Sequence, residues 1–268
     1  MAAMPDPKRQ ISRTICGDDS NGVLRLSHYP AGGRQERHVH DHAQISFLIS
    51  GEIEERIGAR RHEPRAGFAC VKPAGTDHED VWGRRGALML SLRLPALETG
   101  RLDSPVGTWA PADSTSVVRI LRSALAGGTT IPADLLAADL LACLGRESPR
   151  PRTPPPWLAR IREEAARDPG FSVAAAAAQA GVHRVHLSRA FAACYGVPLG
   201  VYRQQMRLAA AIGGTVRRRD EPLAGIAYAA GFADQSHMCR ALRLATGATP
   251  AGLRRLFSPQ AARSGRRR

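Results

Sequence analysis

Lysine is nearly missing from this chain: of 38 basic residues among 268, only Lys8 and Lys72 are not arginine. Such a bias tracks genome composition, so the net charge of +14 does not by itself name a partner. There is no apolar run of the roughly eighteen residues that a membrane helix needs. Met1 to Arg13 mix Pro, Asp, Lys and Arg without an apolar stretch, so no secretory signal is expected and the chain reads as cytoplasmic. Cys16, Cys70, Cys143, Cys194 and Cys239 are odd in number and scattered, with no CxxC and no Cys/His cluster. This excludes a disulfide framework and a finger-type zinc site.

Acids are scarce in one half only. Residues 1–150 carry 19 basic and 18 acidic residues, whereas residues 151–268 carry 19 arginines against 6 acids. A positive balance confined to one half directs that half towards a polyanion. Ser148 to Pro156 reads SPRPRTPPP, which can form neither a helix nor a central strand and is expected to be a semi-rigid linker. The expected division is an N-terminal arm (1–21), a β-rich domain (22–147), the linker (148–156), a helical domain (157–258) and a disordered basic tail (259–268).

Within 22–94, Gln44–Ile49, Glu52–Ile57, Phe68–Val71 and Ala87–Leu94 read as short strands punctuated by Gly and Pro. Leu88, Leu90, Leu92 and Leu94 alternate in the last of these. Many short strands of this kind suggest an antiparallel barrel or sandwich. Two helical patterns follow, near Ser116–Ala126 and Ala133–Leu144. The second places Leu136, Leu140 and Leu144 one turn apart, so the pair can cover an open barrel edge or form a dimer seam. Beyond Pro156 the periodicity is helical throughout.

A helix-turn-helix needs a short supporting helix, a tight turn and an amphipathic reading helix. The pattern occurs twice: Val173–Ala180, Gly181, Arg184–Cys194, then Leu223–Ala230, Gly231, Asp234–Ala245. The reading helices repeat at an offset of 51 residues, with His186, Arg189, Ala190 and Gly196 recurring as His237, Arg240, Ala241 and Gly247. Helical projection places Leu187, Ala190, Phe191 and Cys194 on one face of the first, and Val185, Ser188, Arg189 and Ala192 on the other. In the second, Met238, Ala241, Leu242 and Ala245 oppose Ser236, Cys239, Arg240 and Arg243. Arg184 and Gln235 occupy equivalent N-terminal positions, the part of a reading helix that reaches base edges. Arg can pair bidentately with guanine and Gln with adenine.

At these residues the chain resembles the AraC-type regulators. The matching stretches are 174–211 and 223–255. The second carries the specific pattern Ile226-Ala227, Gly231-Phe232, Gln235-Ser236-His237, Arg240, Gly247, Thr249-Pro250 and Arg254. The resemblance implies two helix-turn-helix units joined by a linker helix, here Leu199–Ile212, entering adjacent major-groove segments of double-stranded DNA. It assigns Arg184, Val185, Ser188, Arg189, Gln235, Ser236, Cys239 and Arg240 to base contact. Two departures stand out: His183 replaces a usual N-cap Ser, which should start the first reading helix less firmly. Gly213-Gly214 replaces a Leu pair, which should loosen the connection between the heads.

A second pattern lies in the β-rich half. Gly32, His38-Val39-His40, Gln44 and Gly51, then Gly67, Pro73-Ala74-Gly75 and His78, have spacings similar to the two cupin motifs. The fold implied is a two-domain α+β protein: an N-terminal cupin-like β-barrel with two trailing helices, and a C-terminal all-α domain with two helix-turn-helix units. In metal-binding cupins the ligand positions correspond to His38, His40, Gln44 and His78. Residues two apart on a strand share a face, so His38 and His40 can converge. With His78 they would suit Zn, Fe or Ni. Gln44 stands where the family has an acid, and Trp82 where the second motif usually ends in Asn. His28, His42 and His62 are expected at the surface or the pocket rim.

Three readings of the barrel remain open: an effector pocket without metal, lined by His38, His40, Gln44 and His78, a pocket holding a divalent metal on His38, His40 and His78, and a metal-dependent cupin enzyme with an appended DNA-binding domain. The first is favoured, because no acid completes the motif, and the expectation is a regulator rather than an enzyme. A binder without sequence preference is opposed by the two predicted base-reading faces. The resemblance implies a small-molecule effector, a homodimer formed through residues 116–144, and RNA polymerase as further partners. Scarce aromatics (5%) together with several His and Arg in the barrel point to a polar or anionic effector.

Overall fold

The computed structural model describes residues 10–18, 22–94, 106–126, 133–144, 153–168 and 170–258. Eight strands form one antiparallel sheet: β1 (Ile11–Asp18), β2 (Gly22–Tyr29), β3 (Arg34–His38), β4 (Ala43–Ile57), β5 (Arg60–His62), β6 (Phe68–Lys72), β7 (His78–Leu94) and β8 (Trp109–Pro111). Their order is β1-β2-β7-β4-β6-β8, with β3 against β7 and β5 against β4. The segments Gln44–Ile49 and Glu52–Ile57 are one strand, β4, carried through Gly51 by bulges between Leu48 and Ser50 and between Gly51 and Ile53. Gly51 marks a bend of the strand rather than its end.

The expected arm needs correction. Part of it, Ile11–Asp18, is β1, paired along β2 from Ile11↔His28 to Asp18↔Gly22. Ile11 and Ile15 are partly buried against the core, which gives this edge strand its register. The rest of the arm (1–9 and 19–21), residues 148–152 of the linker and the basic tail lie outside the described residues.

Alternation along the strands sorts the barrel's two faces in an unexpected sense. Arg25, Ser27, Gln44, Ser91 and Arg93 face a polar lumen. Leu24, Leu26, Ile45, Phe47, Leu88, Leu90 and Leu92 face outwards and are buried there beneath helices. Cross-strand pairs such as Leu26↔Leu90 and Phe47↔Leu90 make this outer face continuous. Each such Leu or Phe contributes about 1.5–3 kcal/mol through burial.

Helices α1 (Ser114–Leu125) and α2 (Ala133–Ala142) cover part of that face with Val117, Leu121, Leu136 and Leu140. Of the two roles expected for this pair, their apolar stripes serve the first, covering the sheet. Leu135 stays 57% exposed on α2.

The remainder is helical: α3 (Pro156–Arg167), α4 (Val173–Gln179), α5 (Arg184–Tyr195), α6 (Leu199–Arg217), α7 (Leu223–Ala229), α8 (Gln235–Thr246) and α9 (Pro250–Leu256). The first head has its own core of Leu158, Ile161, Leu187, Phe191, Tyr202 and Met206. The second head packs α6, α7, α8 and α9 on one another, and its core runs on into that of the barrel. Ile226, Met238, Leu242, Leu253 and Phe257 belong to the same apolar cluster as the barrel's outer leucines.

Two further expectations are corrected at this junction. Helix α6 runs unbroken through Gly213-Gly214. A Cβ on Gly214 would lie 2.8 Å from Ile226 Cγ2, so this glycine lets α7 approach closely rather than loosening the chain. His28 is not at the rim. It is 2% exposed, sits on the outer face next to Gly213, and its Nδ1 accepts a hydrogen bond from Arg217 Nε at 3.3 Å.

Candidate functional site

The two reading helices have equal length, and each ends on a glycine in the left-handed region, Gly196 (φ 66°) and Gly247 (φ 69°). Their starts differ. Asp234 Oδ1 accepts from His237 N at 2.7 Å, a charged N-cap in a favourable position. His183 does cap α5, with Nδ1 accepting from Val185 N, but at 3.3 Å. The expected weak start is therefore a longer cap made through a ring nitrogen.

Of the predicted base-facing residues, Arg184, Val185, Ser188, Arg189, Gln235, Ser236 and Arg240 are exposed, and Cys239 is half-buried. Leu187, Phe191, Met238 and Leu242 on the opposite faces are fully buried. Arg184, Arg189, Arg240 and Arg243 make no ion pair among the described residues, which leaves the guanidiniums available to phosphate or base edges. The repeated histidines have a different part. His186 packs on Trp157 (ring centroids 6.3 Å apart) and His237 on Phe232 (5.2 Å), bracing each reading helix against its neighbour. The 51-residue repeat marked both positions, and each ring stands against an aromatic neighbour.

The barrel lumen is a cavity of about 200 Å³ with a predominantly polar wall. At its mouth β3, the following turn and β7 bring His38, His40 and His78 together, with ligand atoms all within 4.8 Å of one another. His38 Nδ1 lies 2.7 Å from Glu36 O and His78 Nδ1 lies 3.2 Å from Thr76 O. A carbonyl only accepts, so both Nδ1 atoms carry hydrogens and both Nε2 lone pairs are free to bind. His38 Nε2 is buried without a partner. Burial, with the other histidines nearby, pulls His40 down to about 4, and burial with Lys72 nearby pulls His78 to about 4. Both rings are thus neutral at pH 7, the form a metal needs. The donor set fits a divalent transition-metal ion. Gln44 lines the same lumen, but its Nε2 donates to Ser46 Oγ at 2.6 Å.

Acids stand where the motif spacing did not place them. Glu55 on β4 and Asp80 on β7 lie beside His78, within the same 4.8 Å limit. Glu55 is bound by Lys72 Nζ at 2.5 Å and by the Trp109 indole. Burial pushes Glu55 up, but Lys72 outweighs it and holds the carboxylate below its usual range. Burial raises Asp80 to about 8, and its Oδ1 has no partner. Alternation along Glu52–Ile57 could have shown Glu55 facing inwards with Ile53. Nothing local marked Lys72 as its partner.

Residues 176–256 match the family described as a helix-turn-helix domain. No curated protein matches the chain. Among solved structures the chain is similar to KdgF from a Halomonas species, at 20% identity over 36% of this chain and 86% of that one (TM-score 0.31). It is also similar to an RmlC-like cupin from Shewanella frigidimarina, at 21% identity over 34% and 80% (TM-score 0.31). A third is the C-terminal domain of AraT, a response regulator from Geobacillus stearothermophilus, at 21% identity over 39% and 88% (TM-score 0.36).

Proposed function

We propose that this chain is an AraC-type DNA-binding transcription regulator with an N-terminal cupin-like domain, in which a small polar effector in the barrel lumen controls sequence-specific operator recognition. The observation that carries this reading is the pairing of two phased, exposed reading faces with a polar lumen in one chain. Arg184, Val185, Ser188 and Arg189 read one major-groove segment, and Gln235, Ser236, Cys239 and Arg240 read the next. His40, Gln44 and His78 contact the effector, and His38, His40 and His78 supply the nitrogens for a divalent metal. That ion, when bound, would draw an oxygen of the effector to the lumen mouth. Regulation follows if the effector binds two conformers of the chain with different affinity. The chain acts as a homodimer through its β-rich half, with the exposed Leu135 side of α2 as the contact, and addresses RNA polymerase from the operator.

The test is selection of bound fragments from genomic DNA, followed by binding measurements at fixed salt. Arg240→Ala should cost about 1–3 kcal/mol at the selected site and relax preference at one base pair. Arg189→Ala should do the same at a second base pair. Equal loss on every sequence would make these residues phosphate clamps, and equal wild-type affinity for random and selected DNA would overturn the regulator reading. Stoichiometric metal with turnover of a small molecule would favour the enzyme reading instead.

A further inference from the structure

Two walls of the lumen carry opposite charge. On one, β2 and β7 pair at Arg25↔Ser91 and Val23↔Arg93, so Arg25 and Arg93 lie one diagonal step apart on the inward face. Ser27 follows on β2, where its hydroxyl shares a 2.7 Å hydrogen bond with that of Ser12 on β1. On the other, β4 and β7 set Glu55 directly opposite Asp80, with both side chains turned inwards. Two acids in that position repel each other unless further groups compensate them.

The compensation is one-sided. Both oxygens of Glu55 are committed, Oε1 to Lys72 Nζ and Oε2 to the Trp109 indole. Asp80 has no such cover. Its side chain is 6% exposed, its Oδ2 stands 4.0 Å from His78 Nε2, and its Oδ1 is buried without a hydrogen-bond partner. A buried oxygen in that condition destabilises the empty lumen, and a ligand that donates a hydrogen to it removes the penalty.

The charge of the lining decides which donor fits. Arg25, Arg93 and Lys72 give it three cationic side chains against the two carboxyl groups of Glu55 and Asp80, among the described residues. A cleft of that balance draws an anion and disfavours a further ammonium, so the donor to Asp80 is a hydroxyl. Size narrows the class again. A cavity of about 150 Å³ accommodates benzene, so the lumen, at about 200 Å³, suits a molecule of roughly eight to ten heavy atoms.

We propose that the lumen takes a small hydroxy acid, with its carboxylate on Arg25 and Arg93 and a hydroxyl donating to Asp80 Oδ1. This rests on the effector reading of the lumen given above and deepens it by naming the chemical class. Asp80 is the specificity-determining group. A carboxylate without hydroxyls leaves its Oδ1 unsatisfied, and a polyol without a carboxylate gains nothing from the arginine wall.

The test is calorimetric titration of the full chain with D-erythronate, with erythritol, which lacks the carboxylate, and with butanoate, which lacks the hydroxyls. Erythronate should bind saturably at one site and more tightly than either. Arg93→Gln and, as a separate variant, Arg25→Gln should weaken erythronate tenfold or more, through loss of a charge-assisted hydrogen bond, and leave erythritol unchanged. Asp80→Ala should weaken erythronate and leave butanoate unchanged. Arg119→Gln, which removes a positive charge on α1 outside the lumen, should alter none of them, and thermal unfolding should show every variant folded. Erythritol or butanoate binding as tightly as erythronate, erythronate affinity unmoved in both arginine variants or in Asp80→Ala, or no saturable binding at millimolar erythronate would each overturn the hydroxy-acid assignment. The effector reading itself fails on a different result, an operator affinity that no lumen-bound molecule changes.

Discussion

Gly213 and Gly214 are neighbours in one helix, yet alanine should act on them with opposite sign. In a helix interior, glycine costs about 0.5–1 kcal/mol relative to alanine, because more backbone freedom is lost on folding. At Gly213 the nearest atom to an added Cβ is His28 Nε2 at 3.5 Å, an ordinary contact. Gly213→Ala should therefore stabilise by close to that full amount. At Gly214 the added Cβ meets Ile226 Cγ2 at 2.8 Å and Arg218 Nη2 at 2.9 Å. The Arg218 guanidinium can swing away, at the expense of its 2.7 Å ion pair with Glu221. Ile226 is fully buried and branched, so it cannot. Overpacking of this kind costs about 1–3 kcal/mol. Net of the helix gain, Gly214→Ala should destabilise by roughly 1 kcal/mol. Urea midpoints followed by far-ultraviolet circular dichroism separate the two variants. Shifts of the same sign in both would refute the close-packing account and restore the view of the pair as a flexible joint.

Three further outcomes follow from the same geometry. Lys72→Met strands the buried Glu55 carboxylate and should lose about 3–5 kcal/mol, while the double variant Glu55→Gln/Lys72→Met should recover most of it in thermal or urea unfolding. Burial, with Arg217 alongside, pulls His28 down to about 3, below its ordinary 6.5. Its contribution is thus complete above about pH 6.5 and is lost as the pH falls towards 3. Between pH 7.5 and 5 the urea stability should drop by about 2 kcal/mol more in the wild type than in His28→Gln. Asp234→Ala should cost about 1 kcal/mol through loss of its cap, and His183→Ala less than half of that, read by hydrogen exchange in the first turns of α8 and α5.

The C-terminal half was legible because its signals are local. Helix period, turn glycines and a repeated His-x-x-Arg-Ala placed both reading helices within a residue or so of their positions. The inward histidines of the barrel were legible for the same reason: two lie two residues apart, and the third follows a Pro-Ala-Gly turn. The barrel's polarity was not. Leu88, Leu90, Leu92 and Leu94 show only that one face is apolar, and alternation cannot say whether that face is inside the barrel or outside it. The answer lay in the cover itself, which α1 and α2 supply together with helices more than a hundred residues further on. His28 shares that face with Leu24 and Leu26, so its burial was set by Arg217 and Gly213 on α6 rather than by its own surroundings. A strand at Ile11–Asp18 was hidden by the charged residues around it, and it exists because β2 offers an edge.

The same polarity separates the two heads physically. The second head shares an apolar cluster with the barrel, so moving it away exposes residues such as Ile212, Leu242 and Phe257 to water. The first head meets the barrel through polar contacts. Arg162 bridges to Glu52 at 2.8 Å and Glu63 at 3.1 Å, Tyr202 Oη donates to Glu52 at 3.0 Å, and Arg85 donates to the carbonyls of Ala166 and Arg167 at 2.9 and 2.8 Å. Arg65 adds a hydrogen bond to the Tyr195 carbonyl. Water can stand in for the lost partner at each of these contacts, whereas exposed leucine and phenylalanine have no such substitute. The first head is therefore the one whose contacts with the barrel water can replace. Its Glu52 anchor lies on β4, the strand that also carries Gln44 and Glu55 into the lumen. On the proposed reading, a ligand that shifts β4 would reach the first head through this strand, while burial holds the second.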